Sequence, residues 1–295
     1  MAEAGIFGLR RASGAVRCPN MEPATPLVAV VLAGGDRDDR LAATVGATSK
    51  ALVPLRDVPM GAYVANALRR SGVVDRIIWV GETDGLIRRL VDVELPGGQR
   101  MVDSLSLGLG AALGWAVGVQ RRQGAPEDGG SGPEPRLLVV SADLPWWDAE
   151  GVEAFVTHAP AVDLVYPVVR EADALARFPD QPRTYARLRD GRFTGGNALL
   201  LSTRAVTRLL PLVDAAFHAR KRPWALAQLV GFGTLLTLLT GTARISAIEA
   251  RVEKLLGMTA RAFITSDATI AADVDDPAHL PATLGLPHFP SLGDA

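Results

Sequence analysis

Apolar positions in this chain come in short blocks separated by glycine, proline and charge. Leu27 to Val31 is five apolar residues in a row, three of them valine, and predicts a short buried strand that runs into Leu32-Ala33-Gly34-Gly35. Met60 to Ser71 changes period: Tyr63, Val64, Ala67 and Leu68 share one helical face, and Gly72 ends the segment. Arg76 to Gly81 predicts a second buried strand and Asp84 to Leu90 a short helix. A small-residue helix then runs to about Gln120, and Arg136 to Ala142 predicts a third strand that ends on Asp143. Strand, helix and glycine stop repeated in this order is the βαβ rhythm of a parallel sheet. Val162 to Val169 is a fourth strand, in which Pro167 predicts an edge or a bend. Tyr185, Leu188 and Phe193 flank Asp190-Gly191 as a hairpin that leads through Thr194-Gly195-Gly196-Asn197 into a strand over Ala198 to Leu201. Ser246 to Leu256 predicts an amphipathic helix stopped by Gly257.

Composition narrows the picture. The 295 residues are enough for one elaborated α/β domain. Lys+Arg 31 against Asp+Glu 32 gives a net charge of −1, so bulk charge offers nucleic acid no purchase. A single cysteine, Cys18, excludes an intrachain disulfide framework and fits a reducing cytoplasm. Only 4 histidines occur, without HxxxH spacing, which argues against a His-based transition-metal site. Residues 1–26 read as a disordered extension, and 121–135 as a surface loop without a large apolar side chain. Trp224 to Ala243 carries no charge and is long enough to cross a bilayer. Gln228, Gly231, Gly233 and the threonines interrupt it, so it reads as a buried or interfacial helical pair. A membrane-surface contact is the alternative.

Six stretches carry candidate chemistry. A strand ending on paired glycines lets backbone approach a ligand closely, and its N–H groups can cradle an anion, with Arg37, Arg40 and Lys50 following as cations. A tight βα turn is the plainer reading. Gly97-Gly98 with Ser104 can face a flat base, or Asp103 or Ser104 can simply cap the following helix. Asp143, at the carboxyl end of a predicted parallel strand, stands where ligands bind in open sheets and can hold Mg²⁺. Asp273 and Asp275 share one side of an extended segment, where paired carboxylates repel unless a cation lies between them. Arg183, Thr184, Gly196, Asn197 and, in the basic run His218 to Arg222, Lys221 are candidates for an acceptor.

The order of these motifs resembles the MobA-like nucleotidyltransferases: Leu32-Ala33-Gly34-Gly35, Arg40-Leu41, Lys50-Ala51-Leu52-Val53-Pro54, Gly98 with Ser104, Asp143-Leu144-Pro145, Gly195-Gly196-Asn197, and Asp273-Val274-Asp275-Asp276-Pro277. The loop after Gly35 is one residue longer than the usual pattern and acidic, which leaves Arg37 and Arg40 as rival phosphate clamps. The resemblance implies a three-layer α/β/α sandwich with a mixed, mainly parallel, Rossmann-like sheet over about 27–285. Its halves would be nucleotide-binding (27–150) and acceptor-binding (151–285, with a helical insertion about 205–257), followed by a tail, 286–295. It further implies Mg²⁺-dependent transfer of an NMP from an NTP to a phosphorylated small molecule. Lys50, Arg40 and Asp143 would be catalytic. Leu32, Ala33, Gly34, Gly35, Arg37, Gly98 and Ser104 would hold the nucleotide, and Asp143, Asp273 and Asp275 the metal. The rival enzyme is a glycosyltransferase of the same architecture, and the rival outside enzymes is a non-catalytic nucleotide binder. Base and acceptor stay open.

Overall fold

Six largely buried residues, Leu27–Leu32, form strand β1 at the middle of the sheet in a computed structural model. It describes residues 25–34, 40–98, 100–122, 134–219, 236–237, 240–276 and 285–289, with side chains omitted for 212–219. Helix α1 (Arg40–Val45), the paired segments β2 (Pro54–Leu55) and β3 (Val58–Pro59), and α2 (Met60–Arg70) follow. Then come β4 (Arg76–Val80), α3 (Gly85–Leu90), β5 (Val93–Leu95), α4 (Met101–Arg122), β6 (Arg136–Ser141) and α5 (Ala149–His158). The second half holds β7 (Leu164–Arg170), α6 (Glu171–Arg177), β8 (Ala186–Leu188), β9 (Gly191–Gly195), β10 (Ala198–Ser202), α7 (Thr203–Ala219), α8 (Ile245–Leu256) and β11 (Ala260–Thr265).

The sheet runs β5-β4-β1-β6-β10-β7-β9-β8, with β11 on the free side of β7. Strands β5, β4, β1 and β6 are parallel, and β11 is parallel to β7; β9 and β10 run the other way. One face buries Ala29, Val31, Leu138 and Val140 with Leu68, Ile87 and Phe155 from α2, α3 and α5. The other buries Val28, Val30 and Val139 with Leu109, Val206 and Leu256 from α4, α7 and α8. These are the three layers expected. Helix α4 is apolar and long enough to cross a membrane, but it packs on the sheet. A Cβ on its Gly108 would stand 2.4 Å from Val30 Cγ1, so glycine sets how closely helix and strand approach.

Pro167 does not mark an edge. Strand β7 is interior, flanked by β11 on one side and by β10 and then β9 on the other. Between the pairs Val165↔Leu200 and Val168↔Gly195 the β9–β10 strand carries two more residues than β7, a bulge centred on Gly196-Asn197. The missing N–H of Pro167 falls opposite this break, and its carbonyl accepts from Gly196 N at 2.9 Å. The bulge turns β9 and its partner β8 away from β6. Residues 270–275 enter the fork: Asn197 N donates to Ile270 O at 2.9 Å. The expected tail begins inside the fold, since Leu286 is buried beside Leu41 and Val53, and Phe289 meets the Tyr63 ring edge-on at 5.4 Å.

The candidate segments 1–24, 123–133 and most of 224–243 lie outside the described residues, as do Gly35, Arg37 and Lys221.

Candidate active site

Three glycine-bearing loops meet at the carboxyl ends of β1, β4 and β5. A Cβ on Gly81, at φ +142°, would stand 2.6 Å from the Ala33 carbonyl carbon. One on Gly97 would lie 3.5 Å from Gly81 Cα and 3.6 Å from Gly34 Cα. Side chains would fill this floor, and the glycines leave its backbone open. Ser104 is buried in the first turn of α4, and its hydroxyl accepts from Gly98 N at 2.9 Å. Asp103 accepts from Arg100 N at 3.1 Å and pairs with the Arg100 guanidinium at 2.7 Å. Capping therefore falls to Asp103, whereas Ser104 shapes the glycine loop. Gly81 was not singled out in the sequence, although a glycine ending a parallel strand was the available signal.

Across β1 lies the charged half of the site. Lys50 opens a 3₁₀ turn, Lys50–Leu52, and its Nζ donates to Asp143 Oδ2 at 2.5 Å and to Asp275 Oδ1. Asp143 follows β6, and its backbone carbonyl accepts from Val274 N at 3.1 Å, which ties the two acidic segments together. It caps no helix, because α5 begins six residues later and is capped by Asp148, whose side chain accepts from Gly151 N. Asp143, Asp273 and Asp275 each present a carboxylate oxygen within 4.8 Å of the others. Burial first, then the hydrogen bond with Asp275 and the charges of Asp275 and Asp143, pushes Asp273 up to about 6. Burial alone would lower the Lys50 pKa, but the Asp143 charge and the hydrogen bonds Lys50 donates to Asp143 and Asp275 outweigh it and hold the ammonium protonated.

This donor set fits a hard divalent cation. All three groups offer carboxylate oxygens, and Asp143 Oδ1 is buried with no hydrogen-bond partner among the described residues. The cavity beside it, about 170 Å³, is lined by Leu32, Ala33, Gly34, Lys50, Ser141 and Asp143. A larger apolar cleft of about 280 Å³ lies between α8 and the β7–β9–β11 face and contains none of the three carboxylates. Lys50 and Asp143 line the smaller one.

The remaining predicted residues divide. Gly196 is buried in the bulge, where a Cβ would stand 2.8 Å from Pro167 Cγ, and Asn197 is half-buried beside it, its carbonyl accepting from Ser141 N at 3.1 Å. Arg40 opens α1 at the surface, and Thr184 is exposed. Arg183 turns inward, donating to Ala271 O and, at 2.7 Å, to Gln181 Oε1. Gln181, which the sequence gave no reason to select, donates to Asp273 O at 2.6 Å.

Comparison with known proteins bears on the family and the fold. The family model for the MobA-like NTP transferase domain matches residues 29–230. A solved hypothetical transferase from Thermus thermophilus is 38% identical over 87% of this chain and 99% of its own, with a TM-score of 0.73. A 4-diphosphocytidyl-2C-methyl-D-erythritol synthase has the same fold at 14% identity, covering 90% of this chain and 100% of its own, with a TM-score of 0.50. No curated protein sequence matches the chain.

Proposed function

The chain belongs to the MobA-like NTP transferase family and is a nucleotidyltransferase, and on that premise we propose that it moves an NMP from an NTP to a phosphorylated small molecule with Mg²⁺. The observation that carries the reading is the meeting of Lys50 with Asp143, Asp273 and Asp275 beside the glycine floor of Gly34, Gly81 and Gly97. An acceptor phosphate oxygen attacks the α-phosphorus in line, the bond from that phosphorus to the α–β bridging oxygen breaks, and pyrophosphate leaves with the bond electrons. Bound Mg²⁺ supplies charge neutralisation at the triphosphate oxygens. Asp143, Asp273 and Asp275 would hold it through carboxylate oxygens. Lys50 brings a fixed positive charge to the phosphates, and the glycine loops admit the base. Asn197, on the bulge that opens the fork, faces the acceptor. No side chain forms a covalent intermediate, so catalysis is positioning and charge.

The test is a thermal-shift titration with ATP, CTP, GTP and UTP, with and without Mg²⁺, on wild type, Asp143→Ala and Lys50→Ala, followed by pyrophosphate release over a panel of phosphorylated acceptors. A Mg²⁺-dependent shift for one NTP, lost in both variants, supports the reading and names the base. A shift with nucleotide sugars alone would replace it with glycosyl transfer.

A further inference from the structure

The acidic segment that closes the site is held from outside by two side chains. Gln181 Nε2 donates to the Asp273 carbonyl at 2.6 Å, and Arg183 Nη1 donates to the Ala271 carbonyl. Arg183 Nη2 then donates to Gln181 Oε1 at 2.7 Å, so the two side chains fix each other. Ala271 ends a 3₁₀ turn, Ala268–Ala271, and Asp273 follows it by two residues, so the two contacted carbonyls bracket Ala272 at the exit from that turn. Gripping both sets the rotation of the segment about its own axis, and with it the direction of the Asp273 and Asp275 carboxylates.

The grip is anchored on the catalytic side of the molecule. The Arg183 guanidinium lies 6.0 Å from the Phe178 ring centroid, and Phe178 packs on Trp146 at 5.3 Å, three residues beyond Asp143. On its inner side the same segment is pinned by Val274 N to Asp143 O and by Asn197 N to Ile270 O. Neither side chain has a carboxylate as a hydrogen-bond partner among the described contacts. We propose that Gln181 and Arg183 are positioning residues that orient Asp273 and Asp275 for the cation, and that Arg183 works through this segment and does not contact the acceptor. The inference rests on the metal-dependent reading of the site given above.

Mn²⁺ titration followed by electron paramagnetic resonance reads the cation directly, without turnover. Outer partners that orient metal ligands are worth about 10–100-fold in affinity, so Gln181→Met and Arg183→Met are each expected to weaken Mn²⁺ binding by about that factor. The double variant is expected to lose little more than either single one, since the pair acts as a unit. Gln181→Glu keeps the shape but cannot donate to Asp273 O; it carries the same expectation if the methionine variants fold poorly by circular dichroism. Arg183→Lys, which reaches one carbonyl but cannot fork, falls between. In turnover, excess Mn²⁺ restores kcat while the acceptor KM stays at the wild-type value. Unchanged Mn²⁺ affinity with a raised acceptor KM would overturn the proposal and return Arg183 to the acceptor. If wild type bound Mn²⁺ no better than Asp143→Asn, the metal-dependent reading itself would fall, and this inference with it. Wild-type binding lost in Asp143→Asn but kept in the Gln181 variants would sink the inference alone.

Discussion

Replacing Lys50 by methionine separates the stability of the site from its chemistry. Methionine nearly matches the length of the lysine stem but brings no charge. The Lys50 and Asp143 side chains are 13% and 14% exposed, whereas Asp275 is 64% exposed. Removing one member of a buried pair costs about 3–5 kcal/mol, because the other charge is left without a partner. Water screens the share of Asp275, so the lower end applies, about 3 kcal/mol. In domains of this order of size 1 kcal/mol moves Tm by about 2–4 °C, which gives a fall of about 6–12 °C in EDTA. The Lys50 pKa is raised, so its contribution is complete at every pH below the unfolded lysine value of about 10.4 and is lost only as pH rises through the folded value. On the proposed reading a divalent cation would take the same oxygens. Saturating Mg²⁺ should therefore lift the variant more than wild type and recover most of the loss, while pyrophosphate release stays absent. Differential scanning calorimetry in EDTA and in Mg²⁺ measures both effects. A variant that melts with wild type in EDTA would refute the ion-pair argument, and one that ignores Mg²⁺ would refute the cation site.

Three further outcomes follow from the geometry. Asp163 is 2% exposed and accepts from Thr259 N, Thr259 Oγ1, Ser202 Oγ and Arg204 Nε; Asp163→Ala should lower stability by about 3–5 kcal/mol in urea unfolding, with NTP affinity of the folded fraction kept. Gly81→Ala would force a Cβ against the Ala33 carbonyl at a φ that side chains avoid; a cost of about 1–3 kcal/mol passed to the glycine floor should weaken NTP binding about tenfold or more in calorimetry, and undiminished binding would remove Gly81 from the site. Asp273, pushed up to about 6, holds its proton more tightly folded than unfolded. The metal-free protein should thus lose stability as pH rises from about 4 to about 6 and keep the deficit above that, and Asp273→Asn should flatten this part of the pH–Tm curve recorded in EDTA.

What the sequence disclosed, and what it hid, follows from the range of the interactions. The strand at Leu27, the glycine stop and the carboxylate after β6 were legible because burial and backbone freedom write directly into residue type. Lys50, Asp143 and Asp275 could be matched to one another only through the order of motifs, since 93 and 225 residues separate Lys50 from its two partners. Pro167 misled because proline reports a missing ladder bond, and the break that accommodates it is made by a bulge on a different strand. The Gln181 grip was invisible: its partners are backbone carbonyls, which every residue has, so no side-chain type signals them. Arg183 drew attention for its charge, yet its described hydrogen bonds go to a carbonyl and an amide. Leu286 and Phe289 sit in a Pro- and Gly-rich stretch whose composition gives no hint that both pack on the core.

The distance between those motifs also sets an order of assembly. A chain emerging from the ribosome folds from its N-terminal side, and by the time Asp143 is exposed it has what it needs for the parallel strands and for the first contact of Lys50. The cradle for the cation waits until Asp273 and Asp275 have been made and threaded into the fork between β6 and the hairpin. A polypeptide cut short anywhere before them would keep the parallel strands and lack two of the three carboxylates that meet at Lys50. On the reading proposed above, the site is completed only when the distant acidic segment reaches the strands that were made first.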